Sequence, residues 1–266
     1  MVVADLHVHT TVSDGQLAPE AVPAAAADAG LSAVAITDHD RINPALSAPV
    51  RDREGVTVIN GIELRVETPG VDCDRVDLLG YAVDPTDRLR DLCADIQRDR
   101  VDRAERIVDC VEDRLGVSLD IDLGPGVGRP HVARAIDDSD AETTYGEAFE
   151  TLIGDDGPCY VSRSIPDFET GREVLSDACA VVGLAHPFRY DDPAAALSLT
   201  DRLDAVEGVY PYAEDPDTTP LTEAIERNDL LVTGGSDAHG EVVGGTGLDR
   251  PGYDAVRAAL PRSVDG

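Results

Sequence analysis

The chain has 266 residues with seven Tyr, three Phe and no Trp, and 53 acidic residues against 22 arginines and no lysine give it a formal charge of −31. That length suits one α/β domain, or one domain with an insertion, and Val, Ala, Leu and Ile must fill its core. No apolar run approaches the ~20 residues that span a bilayer, no basic stripe offers itself to duplex nucleic acid, and the missing lysine excludes a P-loop lysine, a Schiff base and a carbamylated bridging lysine.

In chain order, residues 2–7 read as a strand, 19–29 as an Ala-rich helix stopped by Gly30, and 33–37 (AVAIT) as a short buried strand. Residues 43–53 are expected to be helical, with Pro44 in the first turn. Two strands follow at 56–64 and 76–83, joined by a loop containing PGVDCD. Apolar residues at three- and four-residue spacing predict a long helix over 87–115, its outer face laced with Asp and Arg. GPGVGRP (124–130) breaks that pattern, and helices are predicted at 131–137, 142–153 and 166–179. The remaining elements are a strand at 180–185, a helix at 194–203, a strand at 205–209, a helix at 220–228, a strand at 230–234 and a helix at 254–260.

Alternating short buried strands and helices indicate a parallel sheet or barrel. About seven strands indicate an α/β fold of the distorted (β/α)₇ barrel kind. Residues 86–165 carry few strand signals and read as a mostly helical insertion within a single domain spanning 1–266.

The six histidines carry the chemistry. His7 and His9 follow VVADL, His39 follows AVAITD, His186 follows VVGLA and His239 follows LVTGGSDA, so all five fall at or just past the C-terminal end of a predicted strand. Glu63 in VINGIEL and Asp237 in GGSDAH fall there too, whereas His131 opens a helix. Barrel enzymes assemble their active sites on that face. A lone histidine there is more often an ordinary loop residue, but separate explanations for five of them are less economical than one metal site. Residues i and i+2 of a strand share a face, so His7 and His9 can reach one ion. With Asp14 the candidates number nine, too many for one ion. Imidazole and carboxylate donors suit two or three divalent ions, Mn²⁺, Zn²⁺ or Fe²⁺.

The five cysteines form no CxxC pair, and no disulfide or cysteine-based zinc site is expected. With no leader-like N-terminus visible, the expected location is the cytoplasm. Acidic residues throughout, without lysine, suggest a very salty one, since at ~1 M salt the Debye length is only ~3 Å and self-repulsion is screened.

The segments DLHVHTTVSDG (5–15), ITDHD (36–40), NGIEL (60–64), RPHVARA (129–135), LAHPFR (184–189) and GGSDAHG (234–240) together resemble the PHP (polymerase and histidinol phosphatase) family of metal-dependent phosphoesterases. The resemblance implies a distorted (β/α)₇ barrel and a trinuclear cluster. One ion would take His7, His9 and Asp237 with Glu63 bridging. A second would share Glu63 and take His131 and His186. A third would take Asp14, His39 and His239. Some family members have a histidine where Asp14 stands, and Arg41 departs from the commoner TDHDT. The SDG, RPHVAR and AHPFR segments are most similar to the subgroup of nucleoside 3′,5′-bisphosphate phosphatases and 5′→3′ exoribonucleases.

The expected reaction is hydrolysis of a phosphomonoester, of a nucleotide or a short RNA end, by attack of a metal-activated water. Arg129, Arg134 and Arg189 flank the ligand motifs and suit a phosphate clamp, or else surface ion pairs. Asp40 could orient His39, move a proton or cap a following helix. Competing readings are a histidinol-phosphate-type phosphatase, a C–N amidohydrolase, and a metal-binding module without activity.

Overall fold

The computed structural model describes residues 1–265. The chain forms two compact units: the larger comprises Met1–Cys93 and the chain from Ile165 onward, the smaller Ala94–Ser164. No helix among the described residues is long and apolar enough to cross a membrane.

The strands of the larger unit are β1 (Ala4–Val8), β2 (Ala33–Ile36), β3 (Val50–Arg53), β4 (Val56–Glu67), β5 (Arg75–Tyr81), β6 (Val181–Leu184), β7 (Ala205–Val209), β8 (Leu231–Gly234) and β9 (Val264–Asp265). Seven of them form one path, β1-β2-β4-β5-β6-β7-β8, with β3 paired to both β4 and β9 off it. The path is parallel at both ends, whereas β5 runs antiparallel to β4 and to β6. The sheet curls until the chain just past β8 meets β1: Val8 and Ala238 form a parallel bridge, and the His9 amide donates to the Ala238 carbonyl at 2.9 Å. This is the distorted seven-stranded barrel expected, with two antiparallel pairings that β-α-β alternation did not indicate.

Side-chain alternation fixes the layers. In β2, Ala33 and Ala35 face one core with Leu6, Leu79 and Tyr81, while Val34 and Ile36 pack outward against Val22 and Ala26 of helix α1 (Val22–Asp28). Both faces are covered, so the strands read as continuous apolar runs. Gly235, just past β8, lies where the chain crosses β1. A Cβ there would stand 2.4 Å from both the Cβ and the amide nitrogen of His7.

Residues 43–53 are not helical, contrary to expectation. The Asn43 side chain accepts from the Ala45 amide at 2.9 Å, closing a turn in place of a helix cap. Val50–Arg53 then pairs antiparallel with the start of β4. Glu54 (φ 53°) and Gly55 (φ 81°) make the two-residue turn that such a hairpin favours.

Helix α2 (Asp87–Leu115) has the predicted bounds and passes from the larger unit into the smaller. The smaller unit continues with α3 (Arg129–Asp137), α4 (Tyr145–Ala148) and a π-turn (Phe149–Ile153). Ile107, Val111, Val132, Ile136, Leu152 and Ile153 form its core. The helix expected from residue 142 starts later because Thr144 and Glu147 form a capping box, Glu147 accepting from the Thr144 amide at 2.9 Å. Gln97 accepts from the Gly126 amide at 2.6 Å, tying the GPGVG loop to α2. The larger unit adds α5 (Phe168–Ala178), α6 (Pro193–Ser198), α7 (Thr219–Asn228) and α8 (Arg250–Ala259).

The smaller unit also overturns the expectation of no disulfide: Cys110 on α2 is bonded to Cys159, 49 residues later, with Cα atoms 5.6 Å apart. Local spacing cannot reveal such a pair, because only packing of the π-turn and its following loop against α2 brings the two together. Cys73, Cys93 and Cys179 remain as thiols.

Two outcomes check this architecture. Thiol titration of the unfolded, unreduced protein should count three free thiols, and five would show that the Cys110–Cys159 bond does not form. Gly235→Ala should cost about 2 kcal/mol through the clash with β1, lowering Tm by about 4–8 °C in a thermal melt. An unchanged Tm would mean that the crossing is looser than described.

Candidate metal centre

Three sequence segments approach the end of the barrel where β1 and β2 terminate. His7 lies in β1 and His9 one residue beyond it, both fully buried. The turn after them folds back on itself: the Gly15 amide donates to the Thr10 carbonyl at 3.0 Å, bringing Asp14 in beside the histidines. A Cβ on Gly15 would lie 2.3 Å from the His9 carbonyl oxygen, so this turn needs glycine. Glu63 is not past a strand end; it lies inside β4, which runs on to Glu67. The chain beyond β2 rides along β4, with the Asp40 amide donating to the Glu63 carbonyl at 2.7 Å, and this sets His39 beside Glu63.

The Glu63 carboxylate is the hub. Its Oε1 lies 3.0 Å from His186 Nε2 and 3.5 Å from His7 Nε2, and its Oε2 lies 2.8 Å from His39 Nδ1 and 3.4 Å from His9 Nε2. Asp237 Oδ1 is 3.1 Å from His9 Nε2 and 3.4 Å from His7 Nε2. Asp14 Oδ1 is 3.3 Å from His239 Nε2 and 3.8 Å from His39 Nε2. Three sets of donors converge within ion-sharing distance: His9, Asp14, His39 and His239; His7, His9 and Glu63; and Glu63, Asp77 and His186. His9 and Glu63 each belong to two sets.

The third set contains a residue that sequence reasoning missed. Asp77 lies in β5, almost wholly buried, with Oδ2 at 3.8 Å from His186 Nε2. Arg65 donates to both its oxygens, at 2.7 and 2.6 Å. An acid in the middle of the apolar run VDLLGY was the signal. His131, expected beside His186, belongs to the smaller unit, where its Nδ1 accepts from the Gly128 amide at 3.2 Å. Its place among the ligands rests on the family pattern alone. Arg129 and Arg134 lie on α3 of that unit, with Arg129 2.6 Å from Asp155 and its guanidinium facing the rings of Tyr160 and Phe149. Asp40 caps no helix; its Oδ1 accepts from the Arg65 amide at 2.9 Å.

The donor set fits divalent cations. His7 Nε2 and both ring nitrogens of His9 are buried without a well-formed hydrogen bond, and buried polar atoms normally have partners. Burial alone would raise the carboxyl of Glu63, yet the charges of His39 and His7 outweigh it and hold Glu63 well below the usual range. Asp14 and Asp237 behave alike: burial opposes ionisation, and the neighbouring histidines overcome it. Clustered buried carboxylates of this kind are paired or coordinate metals. Nitrogen and carboxylate oxygen without thiolate suit Zn²⁺, Mn²⁺ or Fe²⁺.

A layer of further buried acids orients the cluster. Glu207, another residue not anticipated, lies 3.0 Å from His7 Nδ1 through one oxygen and accepts from the His186 amide at 2.9 Å through the other. That arrangement fixes the His7 ring with Nε2 facing the centre. Asp38 accepts from the Thr10 amide at 2.8 Å, Ser13 Oγ at 2.7 Å and Asn43 Nδ2 at 2.8 Å, joining the loops after β1 and β2. Asp5 accepts from the amides of Ser236 and Gly244, joining β1 to the loop after β8. Three residues here have left-handed backbones, Asp40 (φ 51°), His186 (φ 26°) and Asp237 (φ 51°). Strain of this sort persists where surrounding bonds over-determine the geometry. Beside the third set opens a cleft of about 330 Å³ lined by Arg65, Cys73, Arg75, Arg189 and Tyr190.

Residues 5–123 match the PHP domain model. A 3′,5′-nucleoside bisphosphate phosphatase of Chromobacterium violaceum is 27% identical, over 98% of this chain and 99% of that protein. The 5′-3′ exoribonuclease Rnm of Escherichia coli is also 27% identical, over 90% of this chain and 85% of its own. A solved structure from Bifidobacterium adolescentis, described as a metal-dependent phosphoesterase, superposes with a TM-score of 0.80 at 22% identity, covering 98% of this chain and 97% of that one, and so shares the fold. The domain match over residues 5–123, the near full-length relatives and the curled barrel agree in making this chain similar to the PHP domain family.

Proposed function

We propose that this protein hydrolyses phosphomonoesters of nucleotides, either nucleoside 3′,5′-bisphosphates or the ends of short oligonucleotides. The observation that carries the reading is the sharing of His9 and Glu63 between adjacent donor sets. One ion would be held by His7, His9, Glu63 and Asp237, a second by Glu63, Asp77 and His186, and a third by Asp14, His39 and His239. When bound, divalent ions supply Lewis acidity, making water nucleophilic near neutral pH and spreading the charge of phosphoryl oxygens. The names of the two relatives support a nucleotide or RNA substrate.

The chain's own residues prepare the site for that chemistry. Glu207 holds the His7 ring in one orientation and the His186 backbone in its strained one. Asp40 is a positioning residue that pins β4 at Arg65 and so holds Glu63 in register. Arg189 donates to Asp237 at 3.0 Å and keeps about half of its side chain exposed, so it can also receive a phosphoryl oxygen. Arg129 and Arg134 enter the proposed clamp only because they flank His131 in the RPHVARA segment.

The acidic, lysine-free composition favours a high-salt cytoplasm as the working environment. The Cys110–Cys159 disulfide argues against a reducing interior.

In high KCl, protein loaded with Mn²⁺ should release phosphate from nucleoside 3′,5′-bisphosphates, and a chelator should abolish the release. Glu63→Gln should lower turnover by more than about a hundredfold, since outer partners of metal ligands alone cost 10–100-fold. No release with Mn²⁺, Zn²⁺, Fe²⁺ or Mg²⁺ would overturn the reading. Faster turnover of histidinol phosphate than of nucleotides would favour the other branch of the family.

A further inference from the structure

Aromatic side chains are scarce in this chain, with seven Tyr and three Phe, yet four of them gather beside the metal centre. Phe188 and Tyr190 follow β6, and Tyr210 and Tyr212 follow β7. None of the four is fully buried, whereas the interior is filled by aliphatic residues around the buried Tyr81. The rings form a path leading away from the donor atoms. His186 and Tyr210 are edge-on with centroids 5.5 Å apart, Tyr210 and Tyr212 are 4.7 Å apart, and Tyr212 and Phe188 meet edge-on at 5.5 Å.

The inner end of this path is polar. Tyr210 donates its hydroxyl to Asp237 Oδ2 at 2.8 Å, and Arg189 donates to both Asp237 and Tyr210. The outer end is held rigidly. The Phe188 amide donates to the Tyr212 hydroxyl at 3.3 Å, and the Tyr212 amide to the Tyr210 carbonyl at 2.9 Å. Two loops are therefore locked together with their rings already placed, which reduces the ordering cost of binding. Packing demands no such arrangement, because partly exposed rings gain little from burial while presenting apolar faces on a highly acidic molecule. A nucleotide has the matching order of parts: an anionic phosphate, a sugar spacer and a flat aromatic base.

We propose that Tyr212 and Phe188, continuing outward from Tyr210, form a stacking surface for the base of a nucleotide whose phosphate lies at the His186–Asp237 end. The proposal rests on the nucleotide reading above and names how that substrate class would be selected. Stacking tolerates any base, because every base has a π-face. The protein would therefore separate nucleotides from simple sugar phosphates without discriminating strongly among bases.

The test is equilibrium dialysis of two non-hydrolysable ligands against Mn²⁺-loaded protein in high KCl: the 5′-phosphonate analogue of adenosine monophosphate, and the same ribose phosphonate without a base. The wild type should bind the base-bearing ligand about tenfold more tightly or better. Tyr212→Leu and Phe188→Leu should each remove most of that difference and leave the ribose ligand unchanged, while Tyr212→Phe should retain it. Equal binding of the two ligands by the wild type, or an undiminished difference in the leucine variants, would overturn the stacking surface. Failure of phosphate release is a separate result: a base preference without turnover would sink the hydrolase reading and leave the surface standing.

Discussion

A carboxylate buried among four imidazoles is the constraint around which the larger unit is organised. Glu63 is 1% exposed, with His39, His186, His9 and His7 all within 3.5 Å of its oxygens. Leaving such a charge unpaired in a dry interior costs several kcal/mol. The histidines arrive from three different strand ends, and β4 must carry Glu63 past β2 to meet them. The sheet accordingly changes character along β4, from parallel pairing with β2 to antiparallel pairing with β5. Gly61 marks the change, where a Cβ would lie 2.7 Å from Thr37 Cγ2 and 3.1 Å from the Gly80 carbonyl oxygen.

The surrounding acids show how the barrel holds that hub. Asp5, Asp38, Asp77 and Glu207 are all buried, and each spends its oxygens on backbone amides, hydroxyls, a histidine or a guanidinium rather than on solvent. Asp5 links the first strand to a loop more than two hundred residues later, and Asp38 closes the loops that carry Asp14 and His39. These bonds hold left-handed backbones at His186 and Asp237, where each side chain turns back toward the centre. The site is therefore a property of the closed barrel and of no single segment. The aromatic path of the β6 and β7 loops is attached to the same point, because Tyr210 and Arg189 both bond Asp237.

What the sequence discloses follows from how locally each feature is determined. The strand-end histidines were legible because apolar runs and their ends are local, and α2 was legible because its periodicity persists over eight turns. The residues 50–53 hairpin was not, since Pro44 and an Asn invite a helix and only pairing with β4 decides otherwise. Asp77 and Glu207 were passed over because a single acid in an apolar strand has no motif. Their partners, Arg65 and His186 for the one and His7 and His186 for the other, come from separate strands or their ends. The Cys110–Cys159 pair was hidden for the same reason, its two halves 49 positions apart and joined only by tertiary packing.

The central claim is that adjacent ions share Glu63. Anomalous diffraction at the manganese edge from Mn²⁺-soaked crystals tests it most directly. The account predicts two or three peaks in one cluster, with Glu63 contacting two of them and His9 contributing to the group. A single isolated peak, or peaks away from these residues, would contradict it.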